Sequence, residues 1–137
     1  MKFSKRLVAS FACLVAFSAA GADITGDWTA SRATAAGQEQ YTYAFRQTGA
    51  TLIGTVESQA GVVAITNGFV NNKLITFDEN VTVEGRRAVL EYTGELVSEN
   101  EIEFKRRIKG NPYSEIRLVA KRISTPSPRE SARSAAR

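Results

Sequence analysis

Tyr41-Thr42-Tyr43-Ala44-Phe45-Arg46-Gln47-Thr48-Gly49-Ala50-Thr51-Leu52-Ile53-Gly54-Thr55-Val56 is the stretch on which the fold turns. Tyr41, Tyr43 and Phe45 alternate with Thr42, Ala44 and Arg46, then Gln47-Thr48-Gly49-Ala50 reads as a turn. Leu52, Gly54 and Val56 resume the period of two, which makes the stretch a β-hairpin with one apolar face.

The same pattern runs outward in both directions. Upstream, Trp28, Ala30 and Arg32 share one parity. Downstream, Val63 and Ile65 lead up to Asn67-Gly68, and Asn71-Asn72 separates Val70 from Ile75, Phe77 and Val81. Glu84-Gly85-Arg86 reads as a hairpin turn. Leu90, Tyr92, Gly94 and Leu96 alternate, as do Ile102 and Phe104; Gly110-Asn111-Pro112 breaks the chain, and Ile116, Leu118 and Ala120 close it. No apolar stripe of helical period appears in this region. About eight short strands joined by short turns predict an all-β protein, a single antiparallel up-and-down barrel. Closure would remove the edges that an open sheet exposes. Gly54 and Gly94 fall on inward positions, where a barrel wall has to bend.

The flanks differ from this core. Lys2, Lys5 and Arg6 precede an uncharged run from Leu7 to Phe17, and Ala20-Gly21-Ala22 supplies small residues for cleavage. Residues 1–22 therefore read as a signal peptide with its helix, cut after Ala22 or after Ala20. The protein is expected to be exported, to the periplasm or the medium. A membrane anchor is the alternative, but an apolar run of about eleven residues rises roughly 16 Å as a helix, short of a roughly 30 Å hydrocarbon core. From Ser124 the chain carries no large apolar residue, so 124–137 reads as a disordered tail and 23–123 as the domain.

Composition narrows the chemistry. Cys13, the one cysteine, falls inside the signal, and there is no histidine. Disulfides, thiolate catalysis, histidine general-base chemistry and Cys/His zinc sites are thereby excluded from the expected mature chain. The net charge of +4 is concentrated in the flanks, with Lys2, Lys5 and Arg6 at one end and Arg129, Arg133 and Arg137 against Glu130 at the other. The segment between them is close to neutral, so no nucleic-acid face is expected. Lys105-Arg106-Arg107 is preceded by Glu99, Glu101 and Glu103 and reads as a solvated face of mixed sign. Asp78 and Glu79 are adjacent and point to opposite faces of a strand, so they do not form a paired-carboxylate site. No phosphate loop, nucleophile elbow or metal-ligand spacing is present.

Ile24-Thr25-Gly26-Asp27-Trp28 opens the domain with a Gly-x-Trp, and Arg122 shares parity with Leu118 and Ala120. The chain also carries Gly54-Thr55-Val56, Ile65-Thr66-Asn67-Gly68, Tyr92-Thr93-Gly94 and Ala120-Lys121-Arg122. In this ordered set it resembles the small lipocalin-like, calycin-type β-barrel domains of exported bacterial proteins. The resemblance implies that Trp28 plugs one end of the barrel and that Arg122 packs on its indole. It implies no particular activity.

Parity places several polar groups among the core positions: Arg32, Tyr41, Tyr43, Glu79, Tyr92 and Arg106. An unpaired charge in an apolar interior is costly, so these groups must pair, reach solvent at the barrel mouth or face a ligand. A Glu79–Arg106 or Glu79–Arg32 pair is the simplest arrangement. The leading expectation is a binding or accessory module that holds a small organic ligand on these six residues or docks to a partner, with no cofactor, no metal and no membrane insertion after cleavage. The alternatives are a small exported isomerase, lyase or hydrolase with Glu79 as base beside Arg32 or Arg106, and a structural envelope protein.

Overall fold

The computed structural model describes residues 23–123. The expected signal peptide (1–22) and the expected tail (124–137) lie outside the described residues. Within them the chain forms eight strands: β1 (Gly26–Thr34), β2 (Gly37–Thr48), β3 (Thr51–Ser58), β4 (Gly61–Asn71), β5 (Leu74–Val83), β6 (Arg86–Ser98), β7 (Glu101–Ile108) and β8 (Asn111–Arg122). Each strand pairs antiparallel with the next, and β8 returns to β1, giving a closed barrel in simple sequence order. This architecture is consistent with a lipocalin-like fold.

Every connection is a two-residue turn, from Ala35-Ala36 to Lys109-Gly110. Such turns favour residues with positive φ because their twist then matches that of the strands. Glu84 (φ 51°) and Gly85 (φ 77°) both meet this requirement, and Asn72 (φ 54°) does so in the β4–β5 turn.

Asn67-Gly68, which the alternation suggested as a strand end, lies inside β4 instead. The register with β5 slips between Thr66 and Phe69, and Asn67 takes φ 52°, so the pair forms a bulge. Bulged residues imitate a turn in sequence because both need a left-handed backbone. At Gly54 the wall presses inward so closely that a Cβ would sit 1.9 Å from the Ala44 carbonyl oxygen. At Gly94 the room left by a missing side chain is taken by the Phe104 ring, 2.5 Å from where a Cβ would be.

Inward residues fill the barrel. Tyr43, Phe45, Phe77, Tyr92 and Phe104 form one aromatic layer, with Phe77 stacked on Tyr92 at 4.3 Å between centroids. The other pairs in the layer meet at 5.5 to 6.4 Å, mostly edge to face, spacings at which aromatic pairs gain about 0.5–1.5 kcal/mol beyond burial. The outward faces of β6, β7 and β8 carry Glu91, Glu103, Lys105, Arg107 and Arg117, and Arg107 bonds Glu91 at 2.9 Å.

The two ends of the barrel differ. At the end where β1 begins, Trp28 is fully buried and its indole N–H donates to the Ile24 carbonyl at 2.9 Å. Arg122, its register partner on β8, lies 4.4 Å over the indole ring. The guanidinium also donates to the carbonyls of Thr25 (2.8 Å), Asp23 (3.1 Å) and Glu99 (3.2 Å), which closes this end. The seam between β1 and β8 has only three register pairs, Trp28–Arg122, Thr29–Lys121 and Ala30–Ala120, against nine between β1 and β2. Above Ala30 the two strands have no further register pairs, and inward residues there, Arg32, Arg106 and Ile116 among them, are only half-buried, so the opposite end is the more open of the two.

Candidate functional site

The open end is built from the upper halves of the strands. Alternation brings Arg32 on β1, Glu39 and Tyr41 on β2, Glu79 on β5, Tyr92 on β6 and Arg106 on β7 to the inward face. Val63, Val81, Leu90 and Ile116 share that face nearer the mouth and are half-buried, so they form an apolar rim.

The polar groups form one continuous chain across the mouth. The Tyr92 hydroxyl, buried, donates to the Glu79 carboxylate at 3.0 Å. Arg106 donates to the same hydroxyl at 3.4 Å, and its guanidinium lies 5.8 Å from the Tyr92 centroid and 5.0 Å from that of Tyr41. Tyr41 donates to Glu39, whose carboxylate stands 3.8 Å from Arg32. Arg32 and Glu39 are direct register partners across the β1–β2 turn.

Neither of the expected direct ion pairs forms. Glu79 and Arg106 meet at the Tyr92 hydroxyl, because Tyr92 stands directly between their strands. Arg32 pairs with Glu39, its cross-strand neighbour, and not with Glu79. Glu39 is the residue that sequence reasoning missed, although its parity with Tyr41 and its place opposite Arg32 across a two-residue turn carried the signal. Arg106 makes no ion pair among the described residues.

Burial sets the electrostatics. Glu79 is 5% exposed, and this desolvation raises its carboxyl above the ordinary value, partly offset by the Tyr92 hydrogen bond and the nearby Arg106 charge. Burial also raises the Tyr92 hydroxyl, with the Glu79 charge adding to the effect. For Arg106 burial opposes the charge, but its contacts with Tyr92 and Tyr41 more than offset it, and the net shift is upward. Tyr43 lies inside the aromatic cluster, beside the Tyr92 ring. Burial raises its hydroxyl well above the usual range and the neighbouring Tyr92 hydroxyl adds to this, although the oxygen makes no hydrogen bond of good geometry among the described residues.

Of the six expected site residues, the open end thus gathers Arg32, Tyr41, Glu79, Tyr92 and Arg106. Tyr43 shares the aromatic layer with the Tyr92 ring, and its buried hydroxyl lies within electrostatic reach of Tyr92, Arg106 and Glu79. Among the described residues no cluster of three or more metal-ligating acids forms. Comparison of the chain with protein-family models, with curated proteins and with solved structures finds no match.

Proposed function

We propose that this chain is an exported binding module of lipocalin-like, calycin type that holds a small organic molecule at the open end of its barrel. The observation that carries the reading is Arg106: a half-buried guanidinium, set between two tyrosine rings at an open mouth, with no ion-pair partner among the described residues. A structural arginine in such a place is ordinarily paired, as Arg32 is with Glu39. The half-buried apolar rim above it offers the contact that a ligand's carbon skeleton needs. Charged outward faces on β6 to β8 are the reverse of a lipid-facing wall and suit a barrel in water.

Export rests on the basic, apolar and small-residue order of residues 1–22. The filled aromatic layer favours a shallow seat over a deep carrier cavity. Native mass spectrometry and a thermal-shift screen against lipids, sugars, aromatics and organic acids test the binding reading. It expects a mass increment and a raised melting temperature for at least one class; no increment and no shift across the panel would refute it.

A second reading, general-base catalysis at Glu79, is favoured by that residue's burial and raised carboxyl. It requires the carboxylate to reach a substrate, whereas Glu79 is covered and already accepts the Tyr92 hydrogen bond. Turnover of a bound panel compound, abolished in Glu79→Gln, would establish it in place of simple binding.

A further inference from the structure

Three properties of the open end restrict what it can hold. The first is an arginine with unused donors. Arg32 is matched by Glu39, and Glu79 bonds the Tyr92 hydroxyl that stands between it and Arg106, so Arg106 has a carboxylate nearby but makes no direct ion pair among the described residues. A guanidinium has five N–H donors, and the protein acceptors that Arg106 faces are two tyrosine hydroxyls, Tyr92 at 3.4 Å and Tyr41. An anion accepts from the remaining donors more strongly than a neutral molecule does.

The second property is shape. The rings of Tyr41 and Tyr92 flank the guanidinium, with their centroids 5.0 and 5.8 Å from its central carbon, and restrict where it can go. A confined fork of this kind suits a flat, two-oxygen acceptor, which it can bind through two parallel bonds.

The third property is depth. Immediately below, Tyr43, Phe77 and Tyr92 meet at 4.3 to 6.4 Å between centroids and fill the barrel. A chain attached to the bound group therefore has no path downward and must lie along the rim.

We infer that the open end selects small organic anions, a carboxylate or its isostere on a short apolar body, with the anionic group on Arg106 and the body against Val63, Val81, Leu90 and Ile116. This rests on the binding reading above and adds the class of ligand and its size limit. Long-chain lipids are excluded by the aromatic layer.

Isothermal titration of the full chain at fixed ionic strength decides the matter, using hexanoate and benzoate, their amides, and dodecanoate. The acids are expected to bind about tenfold or more tighter than the amides, the margin that a charge-assisted hydrogen bond supplies. Dodecanoate is expected to bind no tighter than hexanoate. Arg106→Gln is expected to remove the acid preference, with Arg106→Lys, which keeps the charge but not the fork, in between. Val81→Asp, a rim change away from the packed layer, provides a second variant and is expected to abolish acid binding by repulsion. Equal binding of acids and amides, an unchanged acid preference in Arg106→Gln, or affinity that climbs with chain length would overturn the inference and leave a neutral or lipid ligand standing. If neutral compounds of the wider screen bind and no acid does, the inference alone fails; if nothing binds, the binding reading fails with it.

Discussion

Arg106, on β7, reaches across the barrel interior to place its guanidinium 5.0 Å from the ring centroid of Tyr41 on β2. The contact joins the two halves of the polar chain, Glu79–Tyr92–Arg106 on one wall and Tyr41–Glu39–Arg32 on the other. It spans the mouth just where β1 and β8 cease to pair.

The buried carboxyl of this chain gives the protein a pH dependence of definite sign. Desolvation raises Glu79 above its ordinary 4.5 in the folded state, so the native protein holds that proton more tightly than the unfolded chain does. Stability from this group is therefore greatest below about pH 4.5 and declines as pH rises through the raised folded value. Urea denaturation across this window should show the decline, and Glu79→Gln should flatten it. Arg106→Leu removes a charge that favours the carboxylate, so the Glu79 titration, followed by carboxyl carbon NMR, should move to higher pH.

The closed end depends on Arg122. Its guanidinium caps Trp28 at 4.4 Å and donates to three backbone carbonyls. Arg122→Ala should cost about 2–4 kcal/mol in urea denaturation, combining lost charge-assisted hydrogen bonds and cation–π contact. Arg122→Lys should recover only part of this, because an ammonium cannot fork between the carbonyls.

Much of this was legible in residue order, for a physical reason. A barrel wall with one dry face obliges side chains to alternate, so Trp28, Tyr43, Phe77, Tyr92, Phe104 and Leu118 announce the interior without reference to tertiary contacts. What alternation does not encode is who meets whom across strands. Register decides that Arg32 meets Glu39, and the slope of the β5, β6 and β7 pairings decides that Tyr92 stands between Glu79 and Arg106. The bulge at Asn67-Gly68 was hidden for a related reason: a left-handed backbone inside a strand and one at its end use the same residues.

The parted seam has its own signature. The Asp27 carbonyl accepts from the Ile123 amide, so odd residues of β1 turn their backbone groups toward β8. Thr29 finds Lys121 there, whereas Ser31 and Ala33 have no register partner on β8. Amide hydrogen exchange should therefore be slow at Thr29 and fast at Ser31 and Ala33, with Arg32, which faces β2, protected between them. Equal protection at Ser31 and Thr29 would mean that the barrel is zipped along its whole length.

Bending of the wall at Gly54 is equally specific. A methyl group there would overlap the Ala44 carbonyl oxygen, and the backbone has to move to admit it. Gly54→Ala should destabilise by about 1–3 kcal/mol or more, as overpacking does. Chemical denaturation measures this directly, and a neutral substitution would show that the two strands do not approach as closely as described.

The central claim is that the open mouth, floored by Arg106 and walled by the half-buried rim, is where a small organic molecule sits. Amide and methyl NMR spectra recorded while benzoate or hexanoate is added test it most directly. The account predicts shifts gathered at Val63, Val81, Leu90, Arg106 and Ile116, with Trp28 and Arg122 at the closed end unmoved. Shifts centred on the closed end or on the outer charges of β6 to β8, or saturating binding that leaves the rim untouched, would contradict it.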